Sequence, residues 1–248
     1  MTPYELAWLA ADPFLPALIG KVRGELRRYC RMCSTRPLLL DVGGRKSPYT
    51  IGVPAHVTIS DIPREGEVRA KLGLGFTTAI LHELRRQRSN IDTCVLDDMV
   101  NSTLPSEQFD IVCCVEVIEH VQQDEVFVRQ INRVLKPGGF LLITTPNGDY
   151  IRNEPPNFNP DHVRHYTRDS VFNLLASQFG SANVQVAWAV KTGVFRAKGL
   201  RSFDFRRPLR TLDTMACNIV SHLESRRLEQ RPGRRAHLIA GVRKVIAI

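Results

Sequence analysis

Two carboxylates and an imidazole follow an apolar run in the middle of the chain, at a spacing that suits joint chemistry. Glu116, Glu119 and His120 form a Glu-x-x-Glu-His pattern directly after residues 111–115. If a helix begins there, these three side chains share one face and converge on one point. Such a group can hold a divalent cation, which lowers the pKa of a bound hydroxyl, or it can exchange protons without a metal.

A polar loop further along the chain carries two more imidazoles. Asp161, His162 and His165 lie within residues 159–166. Imidazole titrates near neutral pH, so His120 or His162 is a candidate general base for a hydroxyl proton, with Asp161 orienting the ring. His165 is expected to hold the loop or to contact a substrate.

An acid or a glycine turn follows each of four predicted strands. These residues are Asp41, Gly43 and Gly44 after the first strand, Asp61 after the second, Asp97, Asp98 and Met99 after the third, and Val115 and Glu116 at the end of the fourth. The carboxyl ends of parallel strands meet at one edge of a sheet, where open α/β folds bind ligands. Glycine lets the backbone approach a ligand, and a carboxylate can accept both ribose hydroxyls. The convergence predicts a nucleoside-binding crevice.

Hydrophobic periodicity and turn residues indicate the elements that position these side chains. Strands are predicted at 38–42, 57–60, 94–96, 111–115, 140–144, 184–190 and 237–246, and helices at 14–33, 77–88, 124–135, 168–179 and 209–228. This alternation is typical of a parallel sheet with helices on both faces. Without a repeat or a clear linker, the sequence predicts a single domain over residues 1–248, with an N-terminal helical cap at 1–35.

The composition is that of a soluble globular protein with an uneven charge distribution. The chain has 248 residues, 43% of them apolar, and a formal net charge of +9. Residues 191–235 contain twelve Lys or Arg and four Asp or Glu, which gives this segment a net charge of +8. It is interpreted as a basic helical insertion that acts as a lid or an acceptor-binding element. A solvated helix face is the simpler interpretation, and an anionic substrate, a nucleic acid or a membrane headgroup are the alternatives.

Several protein classes are disfavoured by the same survey. No apolar run approaches the ~18 residues of a membrane-spanning helix, and the acidic, proline-broken N-terminus is unlike a signal peptide. The six cysteines form no disulfide framework, which indicates a reduced, cytoplasmic protein. Cys30 and Cys33 lack a second pair at zinc-binding spacing, so they are interpreted as packing residues. Residues 43–48 lack the Gly-x-Gly-x-x-Gly spacing, which disfavours an NAD-dependent enzyme.

Over about residues 36–190 the chain resembles the class I S-adenosylmethionine-dependent methyltransferases. The motifs that carry the resemblance are residues 40–44 (Leu-Asp-Val-Gly-Gly), 104–105 (Leu-Pro) with 109–110 (Phe-Asp), 116–121 (Glu-Val-Ile-Glu-His-Val), 133–139 (Arg-Val-Leu-Lys-Pro-Gly-Gly) and 144–147 (Thr-Thr-Pro-Asn). The resemblance implies a Rossmann-like, doubly wound α/β fold. Its mostly parallel seven-stranded sheet has an antiparallel last strand and helices on both faces. S-adenosyl-L-methionine is the implied cofactor.

Individual roles are carried over from the same resemblance. Asp41, Gly43 and Gly44 correspond to the first cofactor motif, Asp61 to the ribose-binding acid, Ile62 to a residue beside the adenine, Asp98 and Met99 to the pair that binds the adenine, and Val115 to the methionine end of the site. The segment after Asp98 is longer than in the family, so the choice between Asp97 and Asp98 stays open. Arg45 replaces a family glycine, which suggests that it supplies charge to the methionine carboxylate.

The acid–imidazole pattern is similar to two metal-using groups, the ubiquinone-pathway O-methyltransferases and the small-RNA 3′-terminal 2′-O-methyltransferases. In the latter group a Thr-Pro-Asn and an Asp-His precede a Thr-Arg, as residues 145–147, 161–162 and 167–168 do here. By that resemblance the ligands of Mg²⁺ or another divalent cation are Glu116, Glu119, His120 and His162. Without a metal, the same histidines are the candidate bases.

Together these observations predict a methyltransferase that acts on a hydroxyl of a small molecule or a saccharide, and the basic segment suits an anionic acceptor. An RNA 2′-O-methyltransferase is the less favoured alternative, because the compact chain has no recognisable RNA-binding module. A non-catalytic member that binds the cofactor is a third hypothesis, and a membrane-surface role for residues 191–235 is a fourth. The acceptor and the oligomeric state stay open.

Overall fold

One seven-stranded sheet forms the centre of the molecule. A computed structural model describes residues 1–62, 78–155, 158–191, 200–204, 206–229 and 234–245. The strands are β1 (Leu38–Val42), β2 (His56–Asp61), β3 (Ile91–Leu96), β4 (Phe109–Val115), β5 (Leu135–Pro146), β6 (Val184–Lys191) and β7 (Arg235–Arg243). Their order is β3-β2-β1-β4-β5-β7-β6, and β7 runs antiparallel to both of its neighbours. The predicted Rossmann-like fold class is confirmed, including the antiparallel last strand.

Helices cover both faces of this sheet, as predicted. They are α1 (Pro3–Ala11), α2 (Ala17–Met32), α3 (Thr78–Gln87), α4 (Asp124–Val134), α5 (Arg168–Phe179) and α6 (Pro208–Glu224). Helices α4 and α5 bury their apolar side chains in one core, and α2 and α3 pack on the other. No described helix is long and apolar enough to cross a bilayer.

Strand β4 belongs to both cores because successive side chains point to opposite faces. Val112 and Cys114 lie in one core, and Ile111 and Cys113 lie in the other. This two-sided burial explains the continuous apolar run. All six cysteines are free thiols, and burial raises the pKa of Cys113 and Cys114 well above the ordinary value, so these two thiols serve as packing groups.

Several element boundaries differ from the prediction. The helix predicted at 14–33 is α2, which begins three residues later, after Pro16, and a further helix, α1, precedes it and starts with a capping box formed by Thr2 and Glu5. Strand β5 already begins at Leu135, and the predicted turn at 136–139 is a bulge between two pairs of the β4–β5 ladder. Helix α6 ends at Glu224, four residues before the predicted end.

Two predicted segments lie partly outside the described residues. The basic segment 191–235 contains α6, but its residues 192–199, 205 and 230–233 are not among those that the structure describes. The last strand was predicted at 237–246, whereas β7 covers Arg235–Arg243, and residue 246 lies outside the described part.

Candidate active site

Two cavities open at the carboxyl edge of the sheet, and Gly43 borders both. The β3-side cavity has a volume of about 340 Å³, and its lining includes Asp61, Ile62, Asp97, Asp98, Met99 and His120. The β7-side cavity has a volume of about 520 Å³, and its lining includes Ser47, Tyr49, Val115, Glu116, Val190 and His237. The predicted crevice therefore exists and continues past Gly43 into a second chamber.

Gly43 occupies a backbone position that excludes other residues. Its φ angle is +69°, and a Cβ atom there would lie 2.7 Å from Cγ2 of Val117. The left-handed conformation and this close approach both require glycine. The turn between the two cavities therefore depends on a hydrogen atom in place of a side chain.

Buried arginines hold the loop that connects β1 to β2. The structure shows a single 3-10 turn at Gly44–Lys46 in this connection. Arg23 donates two hydrogen bonds to the Pro48 carbonyl, at 3.2 and 2.9 Å. Arg88 donates to the Ser47 carbonyl at 3.2 Å and to the Thr50 hydroxyl. Charge-assisted bonds from buried guanidinium groups thus position the loop.

Asp41 lies beneath this loop and lines neither edge cavity. Its carboxylate is buried and accepts a hydrogen bond of 2.7 Å from the Thr50 hydroxyl. Burial raises the pKa of Asp41, while the Thr50 hydroxyl and the charge of Arg88 act in the opposite direction. A Cβ atom on Gly44 would lie 2.6 Å from Cγ of Asp41. These two residues of the first cofactor motif therefore shape the loop from below.

Arg45 pairs with the predicted ribose-binding acid. Its Nε lies 3.7 Å from Oδ2 of Asp61, and both side chains are largely buried. Burial raises the pKa of Asp61, and the positive charge of Arg45 works against that shift. Arg45 lines a third cavity, beside Tyr4 and Trp8, and neither of the edge cavities. Arg45 thus lies beside Asp61, and its expected contact with the methionine carboxylate stays a prediction.

The two aspartates after β3 have different surroundings. Asp97 is buried, and its Oδ1 accepts hydrogen bonds from the backbone N–H and the hydroxyl of Thr103, at 2.9 and 3.3 Å. Among the described residues, the buried Oδ2 atom of Asp97 has no hydrogen-bond partner. Asp98 is exposed and caps a short 3-10 helix by accepting from the Val100 N–H at 3.0 Å. Only Asp97 thus offers a buried acceptor without a partner to a ligand in the β3-side cavity.

The Glu-x-x-Glu-His residues do not share a helix face, which corrects the sequence-based geometry. Glu116 follows β4 with a φ angle of +54°, and Glu119 and His120 lie in a 3-10 turn at Ile118–His120. Glu119, His120 and His162 each place a ligand-type atom within 4.8 Å of the others. We call these three residues the histidine cluster; Glu116, predicted as the fourth ligand, is not part of it.

Glu119 is the buried carboxylate of the histidine cluster. Its Oε2 accepts a hydrogen bond of 3.2 Å from the Thr145 hydroxyl, whereas the buried Oε1 has no partner among the described residues. Burial raises the pKa of Glu119 well above its ordinary range, and the nearby charge of Glu116 adds to this shift. A buried carboxylate oxygen without a partner is costly unless a cation or a proton compensates it.

Carbonyl acceptors fix the tautomers of the cluster histidines. His120 directs Nδ1 to the backbone oxygen of Asp161 at 2.8 Å, so Asp161 orients this ring through its main chain and not through its carboxylate. His165 directs Nδ1 to the Ile151 carbonyl at 2.6 Å, and its Nε2 lies 2.7 Å from Nδ1 of His162. A carbonyl only accepts, so this chain of contacts leaves Nε2 of His120 and His162 unprotonated.

Burial keeps His162 neutral. Its pKa is lowered to about 4 by burial and by the neighbouring rings of His120 and His165. A neutral imidazole with an unprotonated Nε2 is the form that ligates metals or accepts protons. His162 of the predicted loop and the Glu119–His120 pair therefore lie close together.

Glu116 pairs instead with a histidine that the sequence analysis missed. Oε2 of Glu116 lies 3.2 Å from Nδ1 of His237, and its Oε1 accepts a hydrogen bond of 2.9 Å from the Thr144 hydroxyl. Burial tends to raise the pKa of Glu116 but His237 outweighs it, so the pKa is lowered. Burial tends to lower the pKa of His237 but Glu116 outweighs it, so that pKa is raised.

His237 reaches the site through strand pairing. It lies opposite Pro146 in the β5–β7 ladder and opposite Ala189 in the β6–β7 ladder, which places it at the carboxyl edge. No local sequence signal marks it, because its partner Glu116 is more than a hundred residues away in the chain. Val190, with φ of +55°, lines the same cavity as Glu116. Left-handed non-glycine residues are rare and tend to cluster at functional sites.

Comparisons with known proteins agree with this geometry. Residues 70–143 match the family model of a methyltransferase domain. A probable S-adenosylmethionine-dependent methyltransferase of Mycolicibacterium smegmatis is 30% identical over 139 residues, which are 56% of this chain and 51% of that protein. A ubiquinone biosynthesis O-methyltransferase of Citrobacter koseri is 27% identical over 104 residues, 41% of this chain and 43% of that protein. The chain therefore spans about half the length of the curated relatives it matches.

A solved structure shares the fold over nearly the whole chain. A SAM-dependent methyltransferase of Thermotoga maritima superposes with a TM-score of 0.56 at 12% identity, covering 96% of this chain and 93% of that one. The chain therefore has a Rossmann-like fold with two cavities at the carboxyl edge of its sheet. The family match, the relatives and the shared fold together support a class I S-adenosylmethionine-dependent methyltransferase.

Proposed function

We propose that this chain transfers the methyl group of S-adenosylmethionine to a hydroxyl of a small-molecule or saccharide acceptor. The observation that carries the proposal is the meeting of two different cavities at Gly43. The β3-side cavity is lined by carboxylates at the strand ends, where this fold class binds a nucleoside. The β7-side cavity contains an acid–imidazole pair suited to an acceptor hydroxyl. A cofactor that crosses Gly43 would present its methyl group to the second cavity.

Strand-end residues supply the proposed cofactor contacts. Asp61 would accept the ribose hydroxyls, with Arg45 behind it holding the carboxylate in place. Ile62 and Met99 line the β3-side cavity and would pack on the adenine, whose amino group would donate to the Oδ2 atom of Asp97. In this proposal Asp98 lines the cavity and caps the 3-10 turn that follows it, without contacting the adenine. Val115 and Gly43 would flank the methionine part, and Asp41 and Gly44 would support that turn.

Methyl transfer itself depends mainly on positioning, because the sulfonium carbon is already activated. An aliphatic hydroxyl must also lose its proton, and an imidazole with a free Nε2 can accept it. His120 and His162, held by Asp161 and His165, are the bases proposed from the sequence. His237 adds a third imidazole inside the β7-side cavity, and Glu116 would stabilise its protonated form.

The histidine cluster fits a divalent cation. One buried carboxylate oxygen without a partner and two unprotonated imidazole nitrogens form a donor set for Glu119, His120 and His162. Two imidazoles with one carboxylate suit Mn²⁺, Fe²⁺ or Zn²⁺ better than Mg²⁺, which prefers oxygen ligands. When bound, such a cation would lower the pKa of an acceptor hydroxyl and orient it. The protein supplies the buried charge and the ring orientation, and His120 of the cluster lines the β3-side cavity.

We further propose that residues 1–248 act as one domain in which the basic segment meets the acceptor. Leu200 of this segment lines the β7-side cavity, next to Val190. An acceptor with an anionic group would therefore meet a strongly basic neighbourhood.

Methylation assays with and without a chelator test the proposal. We expect radiolabelled methyl transfer to at least one member of a panel of catechols, sugars and sugar phosphates, and calorimetric binding of S-adenosylhomocysteine. EDTA should abolish the transfer and Mn²⁺ should restore it. Glu119→Ala and His162→Ala should lower kcat/KM at least ~100-fold while retaining S-adenosylhomocysteine affinity.

Two matched variants control for nonspecific effects. His56→Ala removes a histidine at the amino edge of β2, and Glu125→Ala removes an exposed acid of α4, so neither should change activity. If activity persists in EDTA and in both the Glu119→Ala and His162→Ala variants, the proposal that a cation assists the transfer is wrong. Binding of S-adenosylhomocysteine without transfer to any acceptor would instead favour the non-catalytic member of the fold. An absence of S-adenosylhomocysteine binding would contradict the whole proposal.

An RNA acceptor is the second candidate, because the histidine cluster has the residue types that resemble the small-RNA 2′-O-methyltransferases. Vicinal hydroxyls at an RNA 3′ end could chelate a cation in the cluster. To distinguish an RNA acceptor from a small molecule, the panel should include a short RNA with a free 3′ end and the same RNA with a 3′-deoxy end. If only the RNA with the free 3′ end is methylated and its binding depends steeply on salt concentration, RNA and not a small molecule is the acceptor.

A further inference from the structure

Helix α6 buries its polar side. The α6 residues that are buried against the body of the protein are Thr211, Thr214, Cys217, Asn218 and Ser221. A surface helix of a water-soluble protein normally does the opposite and faces its apolar stripe inward. Helix α6 is therefore inverted relative to the usual arrangement.

Hydrogen bonds through the polar side fix this orientation. The side-chain amide of Asn218 donates to the Phe14 carbonyl at 2.9 Å, and Nε2 of His222 lies 2.9 Å from the Leu15 carbonyl. The Thr211 hydroxyl donates to the backbone oxygen of Asp204 at 2.8 Å. Rotating α6 to bury its apolar side would break these bonds and leave buried carbonyls unpaired.

The opposite side of α6 presents an apolar stripe to solvent. Leu209 is 81% exposed, Leu212 59%, Ile219 37% and Leu223 52%, and Ala216 between them is also exposed. These positions follow the i, i+3, i+7 spacing and form one continuous stripe along the helix. Contiguous exposed apolar surface of this kind marks an interaction site.

Arginines lie at both ends of the stripe. They are Arg206, Arg207 and Arg210 at the start of α6, and Arg226 and Arg227 just after its end. Cations at a helix N-terminus oppose the helix dipole, so the first three do not stabilise the helix itself. A groove beside α6 adds Lys21, Arg28 and Arg31 of α2 to Arg226. The stripe and the five arginines are named the α6 surface.

The charge pattern distinguishes between the possible occupants. A second copy of the chain docked through the stripe in an antiparallel two-fold arrangement would place the N-terminal arginines of one helix against the C-terminal arginines of the other, and like charges repel. An anionic bilayer meets both features at once, since its acyl region accepts leucines and its headgroups attract arginines.

We infer that the α6 surface docks this protein on the surface of an anionic lipid bilayer. The leucines would enter the boundary between headgroups and acyl chains, and the arginines would lie at the level of the headgroups. This inference is independent of the proposed chemistry, because it concerns where the protein lies and not which bond it forms.

Vesicle sedimentation of the full chain tests the inference. We expect co-sedimentation with vesicles of 70% phosphatidylcholine and 30% phosphatidylglycerol, and at least about tenfold weaker binding to pure phosphatidylcholine. The triple variant Leu209→Ser, Leu212→Ser, Leu223→Ser should bind the anionic vesicles at least about tenfold more weakly. Arg226→Glu with Arg227→Glu should weaken anionic binding and should leave binding to pure phosphatidylcholine unchanged.

Matched control variants distinguish binding through the α6 surface from nonspecific adsorption to the vesicles. Leu6→Ser changes a leucine of α1 with the same 52% exposure as Leu223, and Arg129→Glu changes an exposed arginine of α4 on the opposite face of the sheet. Both should bind like the wild type, and thermal unfolding should show that all variants are folded. The inference fails if anionic vesicles do not bind the wild type or if the triple variant binds equally well. A wild-type dimer that the triple variant converts to a monomer would assign the stripe to a second copy.

Discussion

Asp97 and Asp98 are neighbours in the chain, yet only Asp97 is buried. One Asp97 oxygen accepts hydrogen bonds from Thr103, and the other is buried without a partner among the described residues, in a residue that lines the β3-side cavity. The carboxylate of Asp98 accepts a hydrogen bond from the N–H of Val100 at the start of a 3-10 turn. Burial and turn geometry thus give two identical side chains different surroundings, one a buried carboxylate and the other an exposed cap.

Substitution of these aspartates by asparagine separates the two roles. Asp97→Asn replaces the acceptor Oδ2 by a donor amide that would oppose the adenine amino group, so the Kd for S-adenosylhomocysteine should rise at least about tenfold. Asp98→Asn keeps an oxygen for the Val100 cap and should change the Kd less than about threefold. Isothermal titration calorimetry measures both values. Equal effects of the two variants would contradict the assignment of the adenine contact to Asp97.

At the scale of elements, the β1–β2 connection shows how a loop can replace a helix. A buried Arg88 bonds to Ser47 and Thr50, and Thr50 in turn bonds to the buried Asp41. The network compensates the buried charges of the acid and the guanidinium, which would each be costly alone. The loop that borders the β7-side cavity is therefore coupled to the folded core through Arg88, in addition to the bonds from Arg23.

Removal of that arginine should destabilise the protein. Arg88→Met leaves Asp41 buried without its countercharge and should lower the free energy of unfolding by about 3 kcal/mol. Arg86→Met removes an exposed arginine that forms an ion pair with Glu83 one turn earlier, and it should leave the free energy of unfolding nearly unchanged. Urea unfolding followed by circular dichroism measures the difference. Similar midpoints for the two variants would show that the buried network contributes little.

At the scale of the whole molecule, stability should be unevenly distributed. Strands β1 and β4 lie at the centre of the sheet between two apolar cores. Helix α6 docks on the same body through polar side chains and buries little apolar surface. Burial of apolar surface dominates local stability, so α6 should open more readily than the central strands.

Native-state hydrogen exchange checks this distribution. In low urea, amides of β4 should exchange only through global unfolding, whereas amides of α6 should exchange through a smaller opening that leaves β4 protected. Mass spectrometry of peptides from both elements measures the two opening free energies. An α6 as protected as β4 would contradict this picture. Anionic vesicles should slow α6 exchange specifically if the bilayer covers its stripe.

Sequence patterns predicted much of the architecture and part of the site. Alternating strands and helices indicated the parallel sheet, and acids and glycines at strand ends indicated the crevice, because local periodicity determines which face of each element is buried. The same logic failed for Glu116. A left-handed backbone and a 3-10 turn, and not a helix, follow β4, so Glu116 and Glu119 point to different partners.

By itself, the sequence determined the order of elements, the sheet edge that carries the chemistry, and the family to which the chain is similar. Those features depend on short-range patterns of polarity and turn residues, which a linear chain records directly. Only the tertiary structure decided that His237 joins Glu116, that Asp41 lies beneath a loop, and that α6 exposes its leucines. Each of these depends on strand register or on helix docking between distant segments, and packing of the whole chain sets such contacts.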